Sequence, residues 1–336
     1  MEGIRVNDRA TAVLEKYDIE VLRFWKGRGA ILCETKTGIK ILKEYHGSVQ
    51  RLSTQQKLLH NIREKGYVGV EQILPSKEGE LVIKEEDGTS YYLKEYQEGK
   101  ECNIKEYRDC SKAAENLALL HTAMELPEFV KEENLPPYVL SQEFEKHNRE
   151  LRHIKKYLKE KRQKNDFEYY LYRHYDEFLG KAEKILEDLK TQSIFGTKES
   201  ISEKGYICHG DFQHHNVLFT GGNTFIINFE KYVLDSPMRD LSLFFRKMME
   251  KSNWSEELGQ NILESYCRNR AISAEEKYQL YYRLSYPEKF WKIVNFYYNS
   301  PKVWMPEKNM EKLKKIWTQE EEKNCFLEKH FKKWMD

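Results

Sequence analysis

The sequence predicts an α+β protein, with a small β-rich N-terminal part and a larger helical C-terminal part. Three observations predict it. The first hundred residues set short β-forming runs between Gly-containing turns. Beyond Gly99 the apolar residues recur at helical spacing. That helical pattern is broken once, between Tyr206 and Phe229, by two β-like runs around His209-Gly210-Asp211.

Taken in order, Ile19 to Trp25 alternates loosely and is rich in β-formers. Lys26-Gly27-Arg28-Gly29 reads as a turn and Ala30 to Thr35 as the return strand. Lys36-Thr37-Gly38 turns again into Ile39-Lys40-Ile41-Leu42-Lys43. A helix follows from about Ser48 to Lys65, with Val49, Leu52, Leu59 and Ile62 near one face and Gly66 at its end. Two strands, Glu80 to Lys84 and Ser90 to Tyr96, flank the Glu86-Asp87-Gly88 turn. Helical patterns then cover Asp109 to Glu125, Phe144 to Arg162, Phe167 to Thr191 and much of Trp254 to Asp336. With no low-complexity tether, a hinge is expected near residues 97–100. It separates an N-terminal lobe, 1–97, from a C-terminal lobe, 98–336.

Bulk composition narrows the function. The chain has 336 residues, 56 Lys plus Arg against 55 Asp plus Glu, and a net charge of +1. This balance exerts no general pull on nucleic acid or an anionic membrane, so neither is expected as a partner. The six cysteines, Cys33, Cys102, Cys110, Cys208, Cys267 and Cys325, form no C-x-x-C pair and read as reduced thiols. Met1 to Leu14 lacks the apolar stretch of a secretory signal, and no apolar run approaches about 18 residues.

The chemistry concentrates in Ile207-Cys208-His209-Gly210-Asp211-Phe212-Gln213-His214-His215-Asn216-Val217-Leu218-Phe219. An Asp and an Asn five positions apart sit in a turn between apolar runs. Phosphoryl transfer to an alcohol uses such a pair: the Asp accepts the hydroxyl proton, and the Asn offers a neutral oxygen to a metal on the phosphates. The plain alternative is a hairpin with polar turn residues. Phe225-Ile226-Ile227-Asn228-Phe229-Glu230 follows at a kinase-like interval, with Asn228 where a metal-binding Asp is expected. Asn brings no negative charge, so the metal–nucleotide complex should bind more weakly. Glu230, two residues on, could serve as a substitute carboxylate or as an ordinary salt-bridge partner. Lys43 closes an apolar strand and can point at nucleotide phosphates, whereas Lys40, on the opposite face, is expected to be solvated. A phosphate-contacting Lys usually pairs with a helix Glu, but Gln55 and Gln56 stand mid-helix instead. Gly27 and Gly29 supply a turn that could cover phosphates, and Tyr96, beside the expected hinge, is a further candidate nucleotide contact.

These motifs resemble the aminoglycoside-phosphotransferase and choline-kinase superfamily. Its shared pattern is H-G-D-x-x-x-x-N, then I-D-F/W, then P-x-x-D-L. The matching residues are His209 to Asn216, Ile227-Asn228-Phe229 and Pro237-Met238-Arg239-Asp240-Leu241. Glu95 to Asn103 and Tyr286 to Asn299 are similar to segments of the CotS-type spore coat proteins of endospore-forming bacteria. The resemblance implies a bilobed protein-kinase-like fold, with ATP and Mg²⁺ as cofactors. It makes Asp211 the catalytic base, Asn216 a metal ligand and Lys43 the phosphate contact; Asn228, which departs from the family's Asp, and Glu230, the substitute carboxylate, complete the metal-binding candidates. His209 becomes a structural residue of the loop, and Asp240 braces that loop from a helix N-terminus. It further implies synthesis in the mother-cell cytoplasm, deposition in the spore coat without a signal peptide, and other coat proteins as partners.

Two functions stay open at this stage: an ATP-dependent kinase acting on a hydroxyl acceptor, or a catalytically impaired kinase-fold coat component. Asp211, Asn216 and Lys43 favour the first; Asn228 and the Gln-for-Glu helix favour the second. The basic stretch Lys146 to Lys164 reads as a solvated helix face, and the aromatic segment Tyr286 to Trp304 as core packing.

Overall fold

In the computed structural model, residues 10–27, 29–132, 135–191, 201, 206–299 and 306–331 are described. Residues 1–9 of the polar Met1 to Leu14 stretch therefore lie outside them, as do 300–305 and 332–336 of the expected helical tract from Trp254 to Asp336. The chain divides into two compact units. One draws on Met1–Asn103, Leu119–Asn134 and His209–Tyr232; the other on Ile104–Ala118, Leu135–Cys208 and Val233–Asp336.

In the first unit, β1 (Val21–Lys26), β2 (Ile31–Thr35), β3 (Gly38–Glu44), β6 (Ser90–Glu95) and β4 (Ile73–Leu74) lie in that order, all antiparallel, with β5 (Ile83–Lys84) also on β6. Register decides which side chains share a face. Lys43 lies opposite Tyr92, and Ile41 opposite Lys94; directly opposed residues point the same way, so all four project from one face. The other face carries Leu42 and Leu93. With Cys33 they pack under Ala10, Val13, Leu14 and Tyr17 from a helical turn at 10–14 and the residues after it. Those apolar positions place the end of the Met1 to Leu14 stretch in the core.

Lys40 also lies on this covered face, which corrects the expectation that it is solvated. It is 3% exposed. Glu95, directly opposite on β6, holds its ammonium with both oxygens at 2.6 and 2.7 Å. The alternation of the strand was right, but the covering segment could not be seen from β3 alone.

The Val49–Glu64 helix starts on a Ser48 side-chain cap and ends at Lys65, with Gly66 in the left-handed region at φ +91°. Two hairpin strands, β9 (Val217–Thr220) and β10 (Asn223–Ile226), join β7 (Lys100–Glu101) in a three-stranded sheet.

The second unit is mainly helical. Helices Leu140–Glu160 and Asp166–Thr191 pack along each other; Tyr175 Oη donates to the Leu151 carbonyl at 2.9 Å, and Asn148 Nδ2 to Ala182 at 3.1 Å. The Tyr286–Asn299 segment enters this core as expected. Tyr286 stacks on Phe144 at 3.9 Å between centroids, and Phe290 on Phe178 at 4.5 Å. β8 (Tyr206–Cys208) pairs with β11 (Val233–Asp235) at the base of the Met238–Met249 helix. No helix among the described residues is long and apolar enough to cross a membrane.

Candidate functional site

The H-G-D loop is built so that its polar groups turn inward. Gly210 sits at φ +77°, and a Cβ there would meet the Lys231 carbonyl oxygen at 2.0 Å, so glycine is the residue this approach permits. His209 is fully buried. Its Nδ1 accepts from the Asp211 backbone N–H at 3.1 Å, leaving Nε2–H to donate to the Ile227 carbonyl at 2.9 Å. These two bonds tie the loop to the strand that precedes Asn228, a positioning role for His209. Asn216 donates from Nδ2 to the Asp211 carbonyl at 2.8 Å.

Asp211, Asn216, Asn228, Glu230 and Lys43 all line one cavity of about 460 Å³, together with Glu44, Tyr45, His46, Gly47, Arg51, Tyr92, His215 and Lys231. Five of the residues singled out from the sequence thus converge. Gly27, Gly29 and Tyr96 do not line it: the two glycines turn the β1–β2 hairpin, where Gly27 N donates to Ala30 O at 2.8 Å, and Tyr96 is 38% exposed past the end of β6. Asp240 is fully buried in the first turn of the Met238–Met249 helix, in the second unit.

The carboxylates in the cavity are held by cations. Asp211 Oδ2 accepts from Lys231 Nζ at 2.8 Å, and Oδ1 from Gln213 Nε2. Burial alone would raise the Asp211 pKa, but the Lys231 and Gln213 hydrogen bonds and the Lys231 charge outweigh it and hold it below the ordinary carboxylate value. Glu230 Oε1 accepts from Lys43 Nζ and, at 2.7 Å, from Tyr92 Oη. Burial pushes its pKa up; Lys94 and Lys43 pull it further the other way, down to about 2. The Glu230 carbonyl is in turn held by Arg51 Nη2 at 3.1 Å.

Behind this wall lies a second ion pair that the sequence reading missed. Lys94 Nζ donates to Glu71 Oε2 at 2.6 Å and to Asn228 Oδ1 at 3.0 Å, and both Lys94 and Glu71 are almost fully buried. Glu71 reaches this place because residues 69–71 lie against 224–226: Ile226 N donates to Gly69 O at 2.8 Å, and a Cβ on Gly69 would meet the Thr224 carbonyl oxygen at 2.1 Å. From there its carboxylate also accepts the Asn228 and Phe229 backbone N–H groups, each at 2.9 Å, and Gln55 Nε2 at 3.2 Å. Gln55 thus binds a carboxylate rather than a lysine. The signal for Lys94 was present, since it falls in phase with Tyr92 on β6. Glu71 gave no periodic signal because it lies in an irregular segment.

Asn228 itself is in the left-handed region at φ 68°, ψ 60°, which Asn tolerates better than most residues. Its Nδ2 donates to Asn216 Oδ1 at 2.8 Å. No group of three or more His, Cys, Asp or Glu suited to a metal ion occurs among the described residues.

An antiparallel N-terminal sheet, a helical C-terminal region and an H-G-D-x-x-x-x-N loop define a protein of the kinase-like fold class. Solved structures agree. An aminoglycoside phosphotransferase from Alicyclobacillus acidocaldarius superposes with a TM-score of 0.84 at 20% identity, covering 97% of this chain and 96% of that one. The spectinomycin phosphotransferase APH(9)-Ia, with ADP and spectinomycin, gives 0.66 at 13% identity, covering 92% and 93%. The amicoumacin kinase hAmiN, with AMP-PNP and Ca²⁺, gives 0.63 at 11%, covering 96% and 93%. At these identities the likeness establishes the fold.

The family follows from the sequence model described as "Spore coat putative kinase YutH", which matches residues 10–330. The chain belongs to this family of spore coat proteins. Spore coat protein S of Bacillus subtilis (strain 168) is 28% identical over 160 residues, a match that takes in 47% of this chain and 45% of that protein. The resemblance to CotS-type coat proteins drawn from Glu95–Asn103 and Tyr286–Asn299 thus holds, and family membership implies the spore coat as its place.

Proposed function

We propose that this kinase-like coat protein binds the phosphate chain of a nucleotide in the cavity at Lys43, Lys231 and the Asn216–Asn228 pair, and that its capacity for Mg²⁺-dependent phosphoryl transfer is impaired. The observation that carries this reading is the Asn228 amide. Kinase-type transfer gives the metal an anionic carboxylate and an Asn oxygen. Here residue 228 has no charge, its Oδ1 accepts from Lys94, and its Nδ2 covers Asn216 Oδ1. Glu230, the cavity-lining carboxylate two residues on, is engaged by Lys43 and Tyr92. This donor set does not fit a hard dication that prefers anionic oxygens.

What the cavity does offer is cationic donors around a polar floor. Neighbouring folds bind ADP or AMP-PNP, which supports a nucleotide as ligand. Gly27, Gly29 and Tyr96, which do not line the cavity, would meet the nucleotide only beyond its phosphate chain. Other coat proteins would be the partners, met after synthesis in the mother cell.

One observation favours a second reading, ATP-dependent transfer to a hydroxyl. Asp211 lines the cavity with a depressed pKa, and an ionised carboxylate there can accept the proton of an acceptor alcohol. A phosphate-transfer assay with ATP and a panel of polyol and aminoglycoside acceptors, run beside Asp211→Asn, separates the two. The impaired reading expects no transfer above the Asp211→Asn background, together with saturable ATP binding by calorimetry. Turnover that Asp211→Asn abolishes would establish the second.

A further inference from the structure

The Lys94–Asn228–Asn216 chain decides which kind of ligand this end of the cavity can take. Lysine has three N–H donors and no acceptor. At 3.0 Å from the Asn228 amide it must therefore face Oδ1, which leaves Nδ2 as the group directed at Asn216 Oδ1, 2.8 Å away. The orientation of the amide is thus fixed by chemistry. Lys94 cannot readily release it, because Lys94 is itself locked on Glu71 at 2.6 Å, with Lys94 3% exposed and Glu71 4%. The result is an inversion. Where a metal site offers oxygens to a cation, this one offers an N–H₂ group beside two cavity-lining ammonium groups, Lys43 and Lys231. Three carboxylates at and behind this wall are each neutralised by a lysine: Asp211 by Lys231, Glu230 by Lys43, and Glu71 by Lys94.

We infer that Lys94 is a positioning residue that holds Asn228 as a hydrogen-bond donor, so that this end of the cavity is an oxyanion site which takes a phosphate chain without a divalent ion. The inference rests on the reading of the cavity as a phosphate site. It goes beyond impaired metal binding in naming Lys94 as the cause and metal-free phosphate recognition as the consequence. An incoming phosphate oxygen would draw Lys231 away from Asp211, since its side chain is 69% exposed and can swing.

The test is calorimetric titration of the full chain with ATP and, separately, with inorganic tripolyphosphate, in EDTA and in excess Mg²⁺. The quantity read is the ratio of affinities with and without metal, because a merely weakened fold would lower both together. The wild type is expected to bind both probes with a ratio near one, to within about twofold. Lys94→Met with Asn228→Asp frees a carboxylate and is expected to raise the ratio to about tenfold or more. Lys94→Arg, still donor-only, should keep it near one, and thermal unfolding of each variant checks that it folds. A wild-type ratio of tenfold or more overturns this inference while leaving the nucleotide reading intact. Absence of binding to either probe in both conditions overturns both. ATP binding without tripolyphosphate binding overturns the oxyanion site alone.

Discussion

Two charge networks, one in each unit, are made from similar residues and differ in their access to solvent. In the helical unit, Asp235 accepts from Arg283 Nη2 with both oxygens at 2.8 Å and from Arg239 Nη1 at 3.0 Å, while the Arg239 guanidinium lies 3.9 Å from the centroid of the Tyr138 ring. Asp235 is 1% exposed. In the β-rich unit, Asp211 and Glu230 are also paired, but with lysines that line a cavity. Arginine's planar fork suits a permanent bidentate clamp; lysine's single ammonium on a flexible stem can exchange partners. Pairing alone does not separate a structural network from a binding one. Access to solvent and the choice of cation do.

The comparison can be broken most severely at Asp235. Asp235→Ala would strand two guanidinium groups and cost roughly 3–5 kcal/mol, measured by urea denaturation. A loss under about 1 kcal/mol would mean that Glu143, 3.6 Å from Arg239 and 3.8 Å from Arg283, already carries the clamp. Acid probes the β-rich network next. Glu230 resists protonation down to about 2, against an ordinary 4.5, so the unfolded chain takes up this proton first. The stability it contributes is complete above pH 4.5 and is lost as pH falls toward 2, on the order of 3 kcal/mol. Glu230→Gln should flatten that part of the stability profile; an unchanged slope would place the acid sensitivity elsewhere.

Smaller effects sharpen the contrast. Gly210→Ala forces a Cβ against the Lys231 carbonyl, at an expected cost of about 2 kcal/mol by thermal unfolding. In the helical unit, Lys323 is buried and donates to the Ser285 carbonyl at 3.2 Å, and burial pushes its pKa down to about 8. Below that pH its charge is buried at a cost, so Lys323→Met should stabilise by about 1 kcal/mol near neutrality. The gain should shrink between pH 8 and 10.5, as the wild-type lysine loses its proton more readily folded than unfolded. The exposed pair Arg152–Glu183 sets the floor: Arg152→Ala should change stability by less than about 0.5 kcal/mol.

Much of the fold was legible. The Ser48 cap and Gly66 bounded the Val49–Glu64 helix to within a residue because both signals are local. The Leu140–Glu160 helix begins four residues before the expected Phe144; the capping residue that precedes it, Val139, offers no side-chain cap to read. Two-residue strands such as β4 were missed, since their pairing with β6 is long-range and their length carries no period.

The sequence by itself determined the class of this protein. The H-G-D loop, the strand lysine at 43 and the Asn at 228 are contiguous or periodic features, and local spacing suffices to place them. Tertiary structure alone decided what the site does with them. It buried Lys40 on Glu95, gave Lys43 to Glu230, and brought Lys94 and Glu71 together behind Asn228. Those partners are 55, 187, 23 and 157 residues apart in the chain. Charge pairing depends on distances in space, which sequence spacing does not encode once the chain has turned back on itself.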